Sequence, residues 1–78
     1  MKENDTFVLS KSVEGVVIGE HKAVTLPAGT PVTVVLVLGD LTSPSAYEVE
    51  AFLAEKNAYA LATVEAHDEN NKPVSPVG

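Results

Sequence analysis

The sequence predicts one small, acidic, β-rich domain, and three observations lead to this fold class. The chain has 78 residues, which is the size of a single domain. Residues 32–38 are seven consecutive residues, five of them Val or Thr, with Thr33 as the one polar side chain. Runs rich in proline, glycine and serine separate this segment from shorter β-branched runs, a pattern typical of strands joined by turns.

The N-terminal half predicts a first strand and a hairpin. Residues 1–5 are polar, and we expect them to fray. Residues 6–10 are β-branched and apolar and predict the first strand. Residues 11–15 predict a turn. Residues 16–18 and 23–26 are two β-prone runs around four residues that include a glycine, which favours a hairpin.

Residues 32–38 form the strongest predicted strand of the chain. Two prolines and a glycine in residues 27–31 indicate a loop before it, and residues 41–45 indicate a loop after it. β-Branched side chains lose rotamer freedom in a helix, which argues against a helix here. Because the run is apolar at successive positions, we expect a strand that is buried on both faces.

Residues 46–64 allow two interpretations. Ser43 as an N-cap and Pro44 at the first helical position favour a helix over residues 44–57, and hence an α+β fold. Alternation favours strands, since Tyr47 would share one face with Val49 while glutamates occupy the other. Propensity alone slightly favours the helix.

A resemblance changes that balance. Four segments resemble elements of a family of small uncharacterised bacterial proteins, a domain of unknown function: residues 5–9, residues 26–35, Ala-Tyr-Glu-Val-Glu at 46–50 and Tyr-Ala-Leu-Ala-Thr-Val at 59–64. The family is similar to the SH3-like barrel domain of the nitrile hydratase β subunit. The resemblance implies an all-β fold, a small SH3-like barrel of about five strands over residues 1–66, with strand–turn–strand at 46–64. Residues 13–24 look like an insertion relative to the family.

Composition excludes several classes of function. The net charge is −6, and the five basic residues are scattered lysines, which argues against nucleic acid and anionic membranes as partners. Cysteine is absent, so disulfides and the usual zinc motifs are excluded.

The first residues lack a signal peptide's apolar core, so we expect a cytoplasmic protein. Residues 67–78 are polar and contain proline, and they predict a flexible tail.

The sequence contains no recognisable catalytic motif, and we expect no enzyme activity, no cofactor and no metal site. A ligand- or cation-binding face is a minor hypothesis, with Glu48, Glu50 and His67 as its residues. A solvated strand face explains the glutamates more simply, and a solvated loop explains His67. The residues expected at a protein interface are large and apolar: Val34, Leu36, Leu38, Tyr47, Phe52 and Tyr59.

Three hypotheses for function follow. The first is a non-catalytic interaction or accessory module, self-associating or bound to another protein. A short, apolar chain without cysteine motivates it, because such a chain gains little from its own core. The second is the ligand- or cation-binding domain described above. The third is an accessory subunit of an enzyme complex, suggested by the resemblance to the nitrile hydratase barrel domain and supported by fold analogy alone. If the outer face of residues 32–38 is apolar, the insertion at 13–24, the tail or a second subunit should cover it.

Overall fold

A computed structural model of the chain describes residues 1–40 and 42–66. Of these residues, 63% lie in strands and none lies in a helix. The predicted all-β class is therefore confirmed, and the alternative helix over residues 44–57 is wrong. The predicted tail at residues 67–78 lies outside the described residues.

Six antiparallel strands form one curled sheet, a half-barrel. In chain order they are Thr6–Val8 (β1), Val13–Val17 (β2), Ala23–Leu26 (β3), Pro31–Asp40 (β4), Ser43–Leu53 (β5) and Ala58–Glu65 (β6). Across the sheet their order is β1-β4-β5-β6-β2-β3. The expected number of strands was about five, and the structure has one more than that. The turn predicted at residues 11–15 contains the start of β2.

The core fills the concave side of the sheet. Its largest fully buried side chains come from β1 to β5 and from Leu9, which follows β1: Phe7, Leu9, Val17, Leu26, Val32, Val34 and Val49. Strand β6 contributes Ala60, Ala62 and Val64, which are also buried. Inward and outward positions alternate along β5 and β6, as expected for a sheet with one packed face.

A β-bulge in the middle of β4 corrects the prediction for residues 32–38. Val34 pairs with Val49 and Leu36 pairs with Glu48, so Val35 is the extra residue. The bulge turns Val35 and Leu36 outward, where they are 38% and 46% exposed. The strand is thus not buried on both faces, because the bulge changes which residues face the core.

Strand β5 lies between β4 and β6 and pairs with both along most of its length. This arrangement satisfies the backbone groups on both sides of the strand, which a helix at residues 44–57 would instead satisfy within itself. The alternation of Tyr47 and Val49 with the glutamates therefore matters more than local helix propensity. Strand–turn–strand at residues 46–64 is confirmed.

Strand β2 approaches β6 closely because Gly15 lacks a side chain. A Cβ atom on Gly15 would lie 2.8 Å from the backbone oxygen of Leu61, closer than real Cβ contacts. This close approach places Val16 directly opposite Leu61. Residues 13–24 therefore extend the sheet beyond β6 and do not cover the outer face of β4.

The N-terminus is held against the sheet, contrary to the expected fraying of residues 1–5. The amide of Asn4 donates to the backbone oxygen of Val34 at 2.8 Å, and the amide of Val34 donates to Asp5 at 2.8 Å. The terminal ammonium of Met1 donates to the hydroxyl of Tyr47 at 3.3 Å. Paired backbone groups explain why a polar segment is ordered here.

Candidate interaction surface

The convex side of the sheet carries a group of exposed, large apolar side chains. Their exposed fractions are 48% for Val16, 51% for Ile18, 52% for Phe52, 47% for Tyr59 and 37% for Leu61. These five residues belong to β2, β5 and β6 or directly follow β2, and we call them the apolar patch. Single exposed apolar residues are ordinary, but a contiguous group marks a contact surface more often.

Strand register places three patch residues in one row across the sheet. Phe52 pairs with Tyr59 between β5 and β6, and their ring centroids are 5.1 Å apart with planes tilted by 59°. On the other side of β6, the amide of Ile18 donates to the backbone oxygen of Tyr59 at 2.9 Å. The row Phe52–Tyr59–Ile18 therefore crosses three neighbouring chain segments.

A second row lies two residues further along β6. Leu61 pairs with Glu50 on β5 and with Val16 on β2. Two residues advance a strand by about 7 Å, so the two rows are within contact distance of each other. The apolar patch is thus continuous and does not consist of scattered side chains.

Small side chains face the core where the patch faces solvent. Ala51, Ala60 and Ala62 are buried, while their neighbours Phe52 and Leu61 are exposed. The concave side of a tightly curled sheet has little room, which explains the alanines. The lack of room on the concave side does not explain why the outward positions carry large apolar side chains, since polar residues would be better solvated there.

Carboxylates border one end of the apolar patch. Glu50 and Glu48 follow each other on the outer side of β5, and both are half-buried. The hydroxyl of Thr63 donates to Oε2 of Glu48. On β2, Glu14 accepts a hydrogen bond from Thr25 at 2.7 Å.

A lysine lies at the opposite end of the apolar patch. Lys56 is in the turn between β5 and β6, beyond the row of Phe52 and Tyr59. Its ammonium lies 3.9 Å from Oε1 of Glu20, and both side chains are about two-fifths exposed, at 42% and 41%. Exposed ion pairs of this kind contribute little and exchange partners easily. The patch therefore has carboxylates at one end and an exposed lysine–glutamate ion pair at the other.

The predicted interface residues fall into two groups. Leu36, Phe52 and Tyr59 are exposed on the convex side, and Leu38 is half-buried. Val34 and Tyr47 are buried in the core at 0% and 5% exposure, so the folded chain does not offer them to a partner. The reason is the pleat of β4 and β5, which turns both side chains toward the concave side.

The predicted ligand face is only partly placed. Glu48 and Glu50 do share the outer side of β5, as alternation predicted. His67 lies outside the described residues. Within residues 1–40 and 42–66, the structure contains no cavity and no cluster of three residues that could hold a metal.

Three patch residues escaped the sequence-based list of interface candidates. Leu61 lies on the outward face of β6 with Tyr59, and the alternation of the sequence from Tyr59 onward could have identified it. Val16 and Ile18 were assigned to a hairpin strand without a direction for their side chains. Their partner across the sheet is β6, far along the chain, and local sequence contains no signal for this pairing.

The comparisons with known proteins give no relative. A scan against protein-family models finds no match, and searches of curated proteins and of solved structures find no significant one. Among the described residues, no helix is long and apolar enough to cross a membrane. Inferences about function therefore depend on the chain's own surface.

Proposed function

We propose that this chain is a non-catalytic interaction module that associates with a second copy of itself through the apolar patch. The observation that supports it most is the direction of the side chains on β5 and β6. Phe52, Tyr59 and Leu61 point to solvent while alanines point to the core. A sheet face with these side chains loses unfavourable apolar hydration when another surface covers it.

The size of the apolar patch sets the expected strength of association. From ordinary side-chain areas, the five residues expose roughly 400 Å² together, within the range of functional patches on monomers. Two copies packed face to face would bury about 800 Å² of this apolar surface, before polar surroundings are counted. Standard-size interfaces bury roughly 1,200–2,000 Å² in total, so we expect weak association, with a Kd of tens of micromolar.

A second copy suits this patch because a small domain gains stability by association. A 78-residue chain without disulfides buries a modest fraction of its surface. Association that covers the convex side adds a second apolar layer to a one-sided sheet, the arrangement of a sheet-on-sheet sandwich. The hypotheses of a ligand-binding acidic face, an accessory subunit of an enzyme and membership in the resembled family stay predictions.

The test uses a patch variant and a control of equal exposure. Leu61→Gln changes a patch residue that is 37% exposed, and Val35→Gln changes a residue on β4 that is 38% exposed. Sedimentation equilibrium from about 10 µM to about 500 µM measures the Kd of each protein. We expect Leu61→Gln to raise the Kd about tenfold and Val35→Gln to change it by less than about twofold.

Two outcomes would count against this function. An unaltered chain that remains monomeric over the whole concentration range excludes self-association by any surface. An equal effect of both substitutions shows that association does not use the apolar patch. Circular dichroism melts of the three proteins check that each variant is folded.

A further inference from the structure

We infer that Glu50 limits the strength of self-association, because a second copy that covers the apolar patch must also cover the carboxylate of Glu50. This inference rests on the proposed self-association and names the residue that regulates it. It does not depend on how the two copies are oriented, since Glu50 lies among the patch residues of each copy.

Glu50 completes a regular array of outward positions on the convex side. One row, across β5, β6 and the residue after β2, consists of Phe52, Tyr59 and Ile18. The next row consists of Glu50, Leu61 and Val16. Five of these six positions carry exposed apolar side chains, and Glu50 is the one charged member of the array.

Two patch residues lie next to Glu50. Leu61 is directly opposite on β6, and side chains paired in this way have Cβ atoms about 4.5–5.5 Å apart. Phe52 is two residues further along β5 on the same face, a distance of about 7 Å. A surface that packs on both Leu61 and Phe52 therefore displaces water from the carboxylate beside them, whichever way that surface is turned.

The neighbours of Glu50 in the sheet do not neutralise its charge. Its partner on β4 is Thr33, and the next outward residue of β5 is Glu48. Within residues 1–40 and 42–66, the Glu50 side chain forms no ion pair and no hydrogen bond. A carboxylate that loses its hydration without gaining a partner is costly to cover. Turning it toward Glu48 would bring two like charges together.

This cost applies to both copies of a dimer. A two-fold contact uses the same surface of each chain, so two carboxylates lose water at once. Each chain also carries a net charge of −6. Glutamine has nearly the same size as glutamate and no charge, and it costs less to cover. Glu50→Gln should therefore strengthen association, the opposite of the effect expected for Leu61→Gln.

A charge-matched pair of variants tests the role of Glu50. Glu50→Gln and Glu3→Gln each remove one negative charge, and Glu3 is exposed and precedes β1, which β4 and β5 separate from β6. Sedimentation equilibrium gives the Kd of both variants and of the unaltered chain at about 0.05 M and about 0.5 M salt. The higher salt screens long-range repulsion between the chains, whereas it affects the cost of covering a carboxylate much less.

We expect Glu50→Gln to lower the Kd about tenfold at both salt concentrations. Glu3→Gln should lower it by less than about threefold at low salt and leave it nearly unchanged at high salt. Circular dichroism melts check that the variants are folded. If Glu50→Gln is unstable, Glu50→Thr provides the same test, since threonine has no charge and suits a strand.

The inference is overturned if Glu50→Gln lowers the Kd no more than Glu3→Gln does. It is also overturned if Glu50→Gln raises the Kd, because a cation of the second copy then meets the carboxylate. In both cases the unaltered chain still associates, and the proposed function stands. An unaltered chain that stays monomeric while Glu50→Gln dimerises overturns the proposed function alone. If both stay monomeric, both proposals fail.

Discussion

Phe52 and Tyr59 face each other across the β5–β6 hairpin on the solvent side of the sheet, with ring centroids 5.1 Å apart. Both side chains are about half exposed, at 52% and 47%. A cross-strand aromatic pair stabilises a hairpin even when the two rings are exposed to solvent. Covering this pair would remove two half-exposed aromatic rings from water. The pair therefore contributes both to hairpin stability and to the proposed association.

Replacement of this pair separates the two effects. We expect Phe52→Thr to lower the free energy of unfolding of the monomer by less than about 1 kcal/mol, since threonine suits a strand. The same change should weaken self-association about tenfold, because an aromatic anchor is lost. Urea unfolding at low protein concentration measures the first effect, and sedimentation the second. If the Kd rises no more than the loss of folded monomer explains, the aromatic pair stabilises the hairpin and has no role in association.

The close contact of β2 with β6 depends on Gly15. We expect Gly15→Ala to destabilise the fold by about 1–3 kcal/mol, because the new Cβ would press on the Leu61 backbone oxygen. Val16→Ala, at the next and outward-facing position, should cost less than about 1 kcal/mol. Thermal unfolding followed by circular dichroism compares the two. A neutral Gly15→Ala variant would mean that β2 lies further from β6 than described.

Two leucines test the assignment of the core. Leu26 is 1% exposed and Leu36 is 46% exposed. We expect Leu26→Ala to reduce the free energy of unfolding by about 2–5 kcal/mol, since it leaves a cavity in the core cluster to which Leu26 belongs. Leu36→Ala should cost less than about 1 kcal/mol at protein concentrations that favour the monomer. Similar losses at both sites would contradict the position of the bulge in β4.

The β4–β5 turn contains the clearest shift of a titrating group. The backbone amide of Thr42 donates to Oδ1 of Asp40 at 3.0 Å and its hydroxyl donates to the same atom at 2.9 Å. These hydrogen bonds, the amide first, lower the pKa of Asp40 below its ordinary value. Because the pKa of Asp40 is lower in the folded state, these hydrogen bonds stabilise the fold fully above the unfolded pKa of about 3.9. The stabilisation is lost as the pH falls through the folded pKa.

Carboxyl NMR titration measures this shift directly. Thr42→Val removes the hydroxyl donor and keeps the amide, so the pKa of Asp40 should rise part of the way to its ordinary value. Thr25→Val serves as the control, because it removes a hydroxyl donor from Glu14 on a distant strand. An unchanged Asp40 titration in Thr42→Val would show that the hydroxyl contributes nothing.

The sequence predicted the alternation of Tyr47 and Val49 with the glutamates of β5, because alternation is a local periodicity that a strand pair preserves. The all-β class depended also on the family resemblance, since propensity alone slightly favoured a helix at residues 44–57. The bulge at Val35 was not predictable, because it arises from the register between β4 and β5. The wrong inference that residues 32–38 are buried on both faces followed from this.

The patch was only half predictable for a related reason. Phe52 and Tyr59 were identified by residue type and position on strand faces. Val16 and Ile18 join them because β2 pairs with β6, a contact between segments more than 40 positions apart in the chain. Val34 and Tyr47 were wrongly included, since size and apolarity do not show which side of a strand faces the core.

An alternative contact surface is the outer edge of β3. This strand pairs with β2 on one side, and residues 1–40 and 42–66 supply no strand on its other side. It is four residues long and ends before Pro27, features that limit pairing between sheet edges. Association through β3 would be insensitive to Leu61→Gln and to Phe52→Thr, so the patch variants distinguish the two surfaces.

Sedimentation equilibrium of the unaltered chain tests self-association most directly. From about 10 µM to about 500 µM, we expect the apparent mass to rise from the 8.2 kDa of one chain toward twice that value. Leu61→Gln should shift this rise to about tenfold higher concentration. A constant mass of 8.2 kDa across the range would show that the chain does not self-associate.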